Sequence, residues 1–391
     1  MRQKTILIAA ALAAALLAHD CHAYTAAEAA RRVDQILAHP KLATAQMSVL
    51  IADVATGEII YKRNAAQSLV PASNAKIPTT AAALLLLGPD YCFRTAVYAA
   101  GEVAPGGAVS GPLVVAGAAD PTAGSDIYKS LAKELINRGY TFARGVWTHN
   151  ALTAEKGDSA EASRNMLTQA LTAASFKLAS SPQVLATSNA AALIIEHLSM
   201  PLGRIILTIN KHSLNSWADN LWRSLGCLVA GGPQKMPAFL YRFWADRGLP
   251  MQGVRFVDGS GLSRDDRATA QFYVGILRHM AQRPFEWTAF SGSLPVAGED
   301  GTLCKRMQGG CARGRVWAKT GTMHDIASLS GYCTTNGGRL LAFSFLFNNV
   351  SGCLESARSL QDMACQELAN IDDAPPTSLT QAVPVAATRA R

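Results

Sequence analysis

A serine and a lysine three residues apart open an apolar segment of the chain, VPASNAKIPTTAAALLLLG. On an α-helix, residues i and i+3 project from the same face, so Ser73 and Lys76 are predicted to be neighbours. A serine hydroxyl is a weak nucleophile until a base takes its proton, and a lysine whose pKa is lowered by a second cation can be that base. Ser130 and Lys133 have the same spacing, and nothing about that second pair indicates more than a solvent-exposed helix face.

A second group of residues lies in RVWAKTGT, at the start of a predicted strand. In serine acyl-enzymes that use an S-x-x-K motif, a K-T-G strand borders the active site. Lys319 would then bind a substrate carboxylate or tune its neighbours, and Thr320 would donate a hydrogen bond to that carboxylate. Gly321 would leave room for the substrate backbone. Taken alone, the tripeptide is better explained by an edge-strand lysine followed by a turn glycine.

A third pair, Ser213 and Asn215, lies in KHSLNSW. The serine can relay a proton to a leaving amine, and the asparagine can hold a substrate amide. The S-R-N triplet at 163–165 repeats the pattern, but it is predicted to lie in a small, polar loop. The order along the chain distinguishes these motifs from their duplicates, because Ser73, Ser213 and Lys319 follow one another as the enzyme class requires. Each of these three is also predicted to lie at a helix or strand edge.

The composition indicates a folded, exported chain. Its 391 residues are 49% hydrophobic and 16% charged, enough for two domains or for one domain with a large insertion. A basic start and an apolar stretch at 6–17, too short to span a bilayer, are typical of a secretory signal. We predict a cut before Tyr24, and hence a soluble periplasmic protein with a cleaved signal at 1–23. A lipoprotein cut before Cys21 is the alternative, which Asp20 disfavours.

Export places the cysteines in an oxidising compartment. Of the eight cysteines, Cys21 leaves with the predicted signal, and the remaining odd number means that at least one lacks a partner within the chain. We predict a bridge between Cys304 and Cys311, which flank a short glycine-rich loop, and the other pairings stay open. Neither the cysteines nor the histidines show zinc-ligand spacing, so we expect no metal and no cofactor.

The charge balance favours an anionic partner, since the net charge is +8 and the pI is near 9.1. Nucleic acid is disfavoured, because no basic cluster with interleaved aromatic residues occurs and the signal argues against it. An anionic cell-wall polymer, or peripheral contact with a membrane surface, suits an exported basic protein better. The excess charge explains solubility equally well.

Hydrophobic periodicity predicts an α/β (α+β) chain. MSVLIADVATGEIIYKRN reads as two strands joined at Gly57, and RVWAKTGTMHDIASLSGYCTT and RLLAFSFLFNN alternate like adjacent strands. Helices are predicted from Tyr24 to Leu42, after Ser73, within PLGRIILTINKHSLNSWADNLWRSLG, over TAQFYVGILRHMA and at 355–371.

The chain changes character between these elements. Short β-like pieces, one helix and small-residue loops predict an inserted domain at 96–200. We therefore predict a discontinuous catalytic domain of residues 24–95 and 201–371. The proline- and alanine-rich tail at 372–391 is predicted to be disordered.

The chain resembles the D-alanyl-D-alanine carboxypeptidase/endopeptidases of the penicillin-binding protein 4 type, which are low-molecular-mass class C penicillin-binding proteins. Four stretches carry the likeness: VPASNAKIPTTAAALLLLGPDYCFRT, NKHSLNSWADNLWRSLG, VDGSGLSRDDRATA and LPVAGEDGTL…VWAKTGTMHDIASLSGY. GPLVVAGAADPT and LAKELINRGYTFARGVWTHN look like the start of the family's inserted domain. The resemblance implies a serine β-lactamase/penicillin-binding transpeptidase-like fold: a central antiparallel sheet flanked by helices, with a smaller inserted domain.

The resemblance also implies a serine peptidase that acts on peptidoglycan stem peptides and that β-lactams inhibit covalently. The implied site residues are the nucleophile Ser73, its base Lys76, the proton-transfer and substrate-binding pair Ser213 and Asn215, and the carboxylate-binding residues Lys319 and Thr320. Backbone N–H groups of Ser73 and Thr322 would form an oxyanion hole, whose donors contribute about 2.7–4 kcal/mol each.

Three departures from the family pattern stand out. Only 140 positions separate Ser73 from Ser213, so the inserted domains look reduced and a third, nested domain is predicted to be missing. Leu214 stands where the family usually has Asp, a position that points away from substrate. Pro78 falls inside the predicted catalytic helix, where an interior proline costs about 3 kcal/mol, so we predict a kink or an irregular first turn.

Two other functions remain open at this point. A β-lactamase on the same fold would need a carboxylate to activate water, and neither Glu286 nor Glu299 has the required E-x-x-L-N-like context. A catalytically weak wall-binding or penicillin-sensing protein is the other alternative, which the three intact motifs disfavour. The VDGSGLS loop is interpreted as structural, with Asp258 supplying its hydrogen bonds.

Overall fold

The computed structural model describes residues 24–117, 120–148, 158–179 and 191–374. The predicted signal, and the predicted tail from residue 375 onward, lie outside the described residues. Within the described ranges, no helix is both long enough and apolar enough to cross a bilayer.

The strands, numbered along the chain, are β1 (Gln46–Asp53), β2 (Ile59–Arg63), β3 (Arg94–Ala100), β4 (Leu113–Gly117), β5 (Phe142–Ala143), β6 (Val146–Thr148), β7 (Lys177–Leu178), β8 (Ala191–Leu198), β9 (Val316–Met323), β10 (Ile326–Thr334) and β11 (Leu340–Asn348).

The helices are α1 (Ala26–Leu37), α2 (Lys76–Leu87), α3 (Ser125–Asn137), α4 (Asp158–Ala173), α5 (Leu202–His212), α6 (Asn215–Leu225), α7 (Met236–Ala245), α8 (Ala270–Ala281), α9 (Pro284–Ser293) and α10 (Leu354–Ala369). Short 3-10 turns occur at Pro40–Leu42, Ala72–Ala75, Pro233–Lys235 and Gly301–Leu303, and a π turn at Gly226–Ala230.

A five-stranded antiparallel sheet in the order β2-β1-β11-β10-β9 forms the centre of the molecule. Strand β11 is buried on both faces, and its residues alternate between two apolar cores. Phe343 and Phe345 face the core that α1 and α10 cover, whereas Ala342 and Leu346 face the core that contains α2, α5, α6 and α8. The predicted central antiparallel sheet flanked by helices is therefore confirmed. Gly57 makes the predicted turn before β2, with φ +79°.

A second sheet, in the order β6-β4-β3-β8, packs against α3 and α4 around an apolar core that includes Val97, Val115 and Leu131. The two ends of this segment meet, because the Ser199 N–H donates to the Phe93 carbonyl at 2.8 Å. One contact back to the catalytic side is the Asn220 side-chain amide, which donates to a carbonyl before α3. The division into two domains stays a prediction.

The helix that follows Ser73 begins irregularly, as predicted from Pro78. Residues Ala72–Ala75 form a 3-10 turn, and the α-helix starts only at Lys76. Pro78 is thus the third helical residue, where a backbone N–H has no intrahelical partner in any helix. The proline therefore costs no hydrogen bond at this position.

Three predictions need correction. The first helix ends at Leu37 rather than Leu42, because the residue before Pro40 is disfavoured in helical conformation. Ser163 lies on helix α4, not in a loop, and its hydroxyl is buried against Tyr128.

The third correction concerns the cysteines. The Cys304 thiol is free and exposed, whereas Cys311 is buried and belongs to a disulfide. The predicted Cys304–Cys311 bridge is therefore wrong. The two side chains lie in different environments, because Cys304 is exposed directly after the 3-10 turn whereas Cys311 packs in the core that α1 and α10 cover.

Candidate active site

The Lys76 amine lies at the centre of the site. Its Nζ atom is 2.9 Å from Ser73 Oγ, 2.7 Å from Asn215 Oδ1 and 2.6 Å from the Ser260 carbonyl oxygen. The last two oxygens can only accept hydrogen bonds, so a neutral amine uses both of its N–H groups on them. Its lone pair is then directed at the Ser73 hydroxyl. This arrangement suits removal of the Ser73 proton.

Burial makes the neutral amine accessible near physiological pH. The Lys76 side chain is fully buried, which lowers its pKa from 10.5 to about 8, while the carboxylates of Asp219 and Asp258 act in the opposite direction. With that pKa, roughly a tenth of the amine is neutral at about pH 7, against roughly three parts in ten thousand for an ordinary lysine. The shift therefore raises the supply of base by about two to three orders of magnitude.

Ser73 is held on a tight, well-supported turn. The residue before it, Ala72, adopts a left-handed conformation with φ +49°, which is uncommon for a non-glycine residue. Gly261 packs directly on this turn, since a Cβ at that position would lie 1.9 Å from the Ala72 carbonyl oxygen. Below the turn, buried Asn74 donates a hydrogen bond to Ser330 Oγ of β10 at 2.7 Å. The nucleophile candidate therefore sits on backbone that the sheet and a neighbouring loop both fix.

The second and third motifs meet at one hydrogen bond. Ser213 caps α5 in a left-handed conformation, and Lys319 Nζ of β9 donates to its Oγ at 3.0 Å and to the Thr320 carbonyl at 2.9 Å. Burial lowers the pKa of Lys319 well below its ordinary value, and the Lys76 amine acts in the same direction. Lys319 thus feels the charge of Lys76, whereas the lowered pKa of Lys76 itself is due to burial.

Strand β9 runs directly beside the Ser73 turn because Gly321 has no side chain. A Cβ at Gly321 would lie 2.7 Å from the Pro71 carbonyl oxygen and 3.2 Å from the Ser73 nitrogen. Thr322 follows as an exposed residue that pairs with Ala327 of β10. The absence of a side chain at position 321 thus brings the backbone of β9 alongside that of the serine.

Sequence reasoning missed two groups that contact the site. The Ser260 carbonyl accepts a hydrogen bond from Lys76, and Thr302 Oγ1 shares one with Thr320 Oγ1 at 2.7 Å. Both lie in stretches that carry the family likeness, VDGSGLS and EDGTL. A backbone carbonyl has no residue-type signal, however, and a lone threonine is too common to single out.

The VDGSGLS loop has the predicted internal support. Asp258 accepts hydrogen bonds from the backbone N–H groups of Ser260, Gly261 and Ser263 at 3.1, 2.5 and 2.7 Å. The loop also supplies the carbonyl that binds Lys76, so the interpretation of it as purely structural is too narrow.

The duplicate motifs lie apart from this cluster. Ser130 and Lys133 are both exposed on α3, as expected for a solvated helix face.

Glu299 is exposed, and Glu286 lies in the first turn of α9. In the part of the chain that the structure describes, no group of three or more His, Cys, Asp or Glu side chains could hold a metal ion.

The clustered motifs place a Ser-Lys pair beside the edge strand of an antiparallel sheet, an arrangement that suits serine acyl transfer. The sequence model of the D-Ala-D-Ala carboxypeptidase 3 (S13) family matches residues 29–150 and 142–368, so the chain belongs to that family of serine peptidases. The D-alanyl-D-alanine carboxypeptidase of Actinomadura sp. (strain R39) is 29% identical over 439 residues, which covers 82% of this chain and 81% of that protein. The carboxypeptidase DacB of Haemophilus influenzae is 34% identical over 176 residues, 42% of this chain and 35% of that protein.

Solved structures share the architecture. Penicillin-binding protein 4 of Haemophilus influenzae, in complex with a β-lactam, superposes with a TM-score of 0.72 at 22% identity, covering 87% of this chain and 98% of that one. A predatory peptidoglycan endopeptidase of Bdellovibrio bacteriovorus gives a TM-score of 0.55 at 19% identity, covering 78% and 86%. The fold class inferred from the resemblance is thereby confirmed.

Proposed function

We propose that this chain is an exported serine DD-peptidase that forms an acyl-enzyme on Ser73 and is acylated by penicillins. Its substrates would be peptidoglycan stem peptides, cleaved at a terminal D-Ala-D-Ala or at a D-Ala cross-link. The observation that carries the proposal is the 2.9 Å contact between Ser73 Oγ and a buried amine whose other two partners only accept hydrogen bonds.

In the proposed first step, Lys76 takes the proton of Ser73 as its Oγ attacks the carbonyl of the penultimate D-Ala. The new bond joins Oγ to the carbonyl carbon, and the amide C–N bond breaks. The leaving amine needs a proton, which Ser213 relays, because Lys319 donates to Ser213 Oγ and leaves that hydroxyl's own proton available. Water then hydrolyses the ester and restores Ser73.

Binding of the substrate's terminal carboxylate falls to Lys319 and the Thr320 hydroxyl in this proposal. Asn215 holds Lys76 through its Oδ1 and leaves its NH2 group for a substrate amide. Backbone N–H groups of Ser73 and Thr322 stabilise the oxyanion, and the close approach at Gly321 supports that pairing.

The relatives support the substrate class. Their names describe carboxypeptidases acting on D-alanyl-D-alanine, a β-lactam complex, a peptidoglycan endopeptidase and a penicillin G acylated form of such an endopeptidase. The basic start and apolar stretch before Tyr24 support export to the periplasm. We expect mass spectrometry of periplasmic material to find a mature chain that begins at Tyr24.

Labelling with a fluorescent penicillin tests the assignment. Peptide mapping is expected to locate the adduct on Ser73, and Ser73→Ala should abolish labelling. The matched control is Ser130→Ala, which removes the serine of the duplicate motif and should label normally. An adduct on Ser130, or none on the folded wild-type chain, would contradict the proposal. Incubation with purified muropeptides then separates release of D-Ala from cleavage of cross-links.

A further inference from the structure

We propose that Asp219 is a positioning residue for Lys76, acting through the loop backbone at Gly259 and Ser260 and through its negative charge. The inference rests on the proposed role of Lys76 as the base for Ser73. Asp219 lies in the first turns of α6, four residues after Asn215, and neither the motifs nor the resemblance assigns it a part.

Asp219 contacts the loop segment that carries the carbonyl bound by Lys76. Asp219 Oδ1 accepts a hydrogen bond from the Gly259 N–H at 3.2 Å. Gly259 packs closely on α6, because a Cβ at that position would lie 2.6 Å from the Ala218 carbonyl oxygen. Asp219 therefore holds the backbone one residue before Ser260, whose carbonyl oxygen lies 2.6 Å from Lys76 Nζ.

Asp258 holds the peptide that carries this carbonyl, because its Oδ1 accepts a hydrogen bond from the Gly261 N–H at 2.5 Å. A neutral amine has a single lone pair, so its direction depends on where its two N–H acceptors are fixed. Asn215 and Asp219 lie on one helix, α6, and anchor both acceptors: the first directly and the second through the loop. Helix α6 thus aims the Lys76 lone pair at Ser73.

Charge gives Asp219 a second effect. Three ionisable groups face Lys76 from the elements around it: Asp219 from α6, Asp258 from the loop and Lys319 from β9. Burial raises the pKa of Asp219 itself, and the hydrogen bonds from Ser260 and Gly259 lower it. As a carboxylate, Asp219 favours the protonated form of Lys76, so removal of its charge makes the free amine available at lower pH.

The test measures the second-order rate constant for acylation by a fluorescent penicillin as a function of pH. Asp219→Asn keeps the shape and an acceptor for Gly259 but removes the charge. The acid limb of its pH–rate profile is expected to move to lower pH by about one unit. The matched control is Asp265→Asn, which removes the same charge from an exposed position next to the loop and should leave the limb in place. An unmoved limb in Asp219→Asn, or an equal shift in both variants, would overturn the inference.

Asp219→Glu keeps the charge and displaces the carboxylate, which guards against a folding defect in the first variant. Its acid limb should stay at the wild-type pH while the plateau rate falls several-fold, because the carbonyl is no longer held in place. A wild-type profile in Asp219→Glu would contradict the positioning role. Failure of the wild-type chain to label on Ser73 would instead overturn the proposed function, so the two failures are distinguishable.

Discussion

At the scale of single residues, Lys76 can be a base because burial and hydrogen bonding act on it together. Burial lowers its pKa to about 8. Asn215 Oδ1 and the Ser260 carbonyl oxygen, which only accept hydrogen bonds, orient the two N–H groups of the neutral amine. An exposed lysine such as Lys133 has neither advantage, although it has the same spacing from a serine. The local environment, not the motif, separates the two pairs.

The acylation rate is therefore expected to depend on pH through Lys76. The folded-state pKa is lowered, so the neutral amine predominates above about pH 8 and becomes tenfold scarcer with each unit below it. The second-order rate constant for a penicillin should rise as pH increases toward about 8 and then level off. Circular dichroism across the same range shows whether the fold persists. A rate constant that stays flat below about pH 8 in the folded chain would contradict this role.

Thr302 is expected to matter for substrates that end in a free carboxylate. The Thr302 hydroxyl lies 2.7 Å from the Thr320 hydroxyl, and Thr302→Val removes the hydrogen bond that orients Thr320. We expect kcat/KM for a D-Ala-terminated peptide to fall about five-fold, which corresponds to one hydrogen bond of about 1 kcal/mol. Thr172→Val, which removes a hydroxyl bonded within its own exposed helix, is the control and should keep wild-type kinetics. Equal kinetics in both variants would remove Thr302 from the site.

At the scale of elements, three backbone segments come into close contact at the site because glycines leave room for them. Gly321 brings β9 against the Ser73 turn, and Gly261 brings the loop at 258–263 against the same turn from another side. Gly261 also has φ +80°, so it meets both a conformational and a spatial requirement. The turn itself departs from a regular helix, and Pro78 follows it where no backbone donor is needed.

Gly261→Ala should lower the free energy of unfolding. A left-handed alanine costs about 1–2 kcal/mol, and we expect the loss here to be larger. The excess arises because its Cβ would lie 1.9 Å from the Ala72 carbonyl oxygen. Gly248→Ala is the matched control, since Gly248 has φ +74° but open space around it. Denaturant unfolding measures both variants, and penicillin labelling should fall only in Gly261→Ala. Equal losses of stability would show that the close packing on the Ser73 turn adds nothing.

At the scale of the whole molecule, two sheets build separate cores in the described residues. The central sheet packs on both faces, whereas the second sheet packs with α3 and α4 around its own apolar residues. The chain leaves and returns at adjacent points, with the Phe93 N–H donating to Ser199 Oγ at 2.9 Å. The chain thus enters and leaves the second sheet at neighbouring residues.

Replacing residues 96–197 by a linker of about four Gly and Ser residues should leave a chain that folds. We expect normal penicillin labelling of Ser73, because the catalytic contacts described above come from outside that segment. Cleavage of cross-linked muropeptides should fall more than release of D-Ala from a short peptide. Loss of cooperative unfolding in the shortened chain would contradict the predicted domain division.

Much of the fold, and the motif residues that the structure brings together, were predictable from the sequence because their signals are local. Periodicity places β10 and β11 as adjacent strands, and the spacing of Ser73 and Lys76 puts both on one face. Predictions failed where a distant contact decides the outcome: the bridge predicted between Cys304 and Cys311, and the environment of Ser163.

By itself, the sequence determined the three motifs, their order, the α/β pattern and the family likeness, because residue identity and short-range spacing carry them. Tertiary structure alone decided which oxygens surround Lys76, since Asn215 and Ser260 lie 139 and 184 positions away along the chain. It also decided the lowered pKa of that amine, because desolvation depends on what packs around a group. A backbone carbonyl such as that of Ser260 has no side-chain identity to read, so only the folded chain places it in the site.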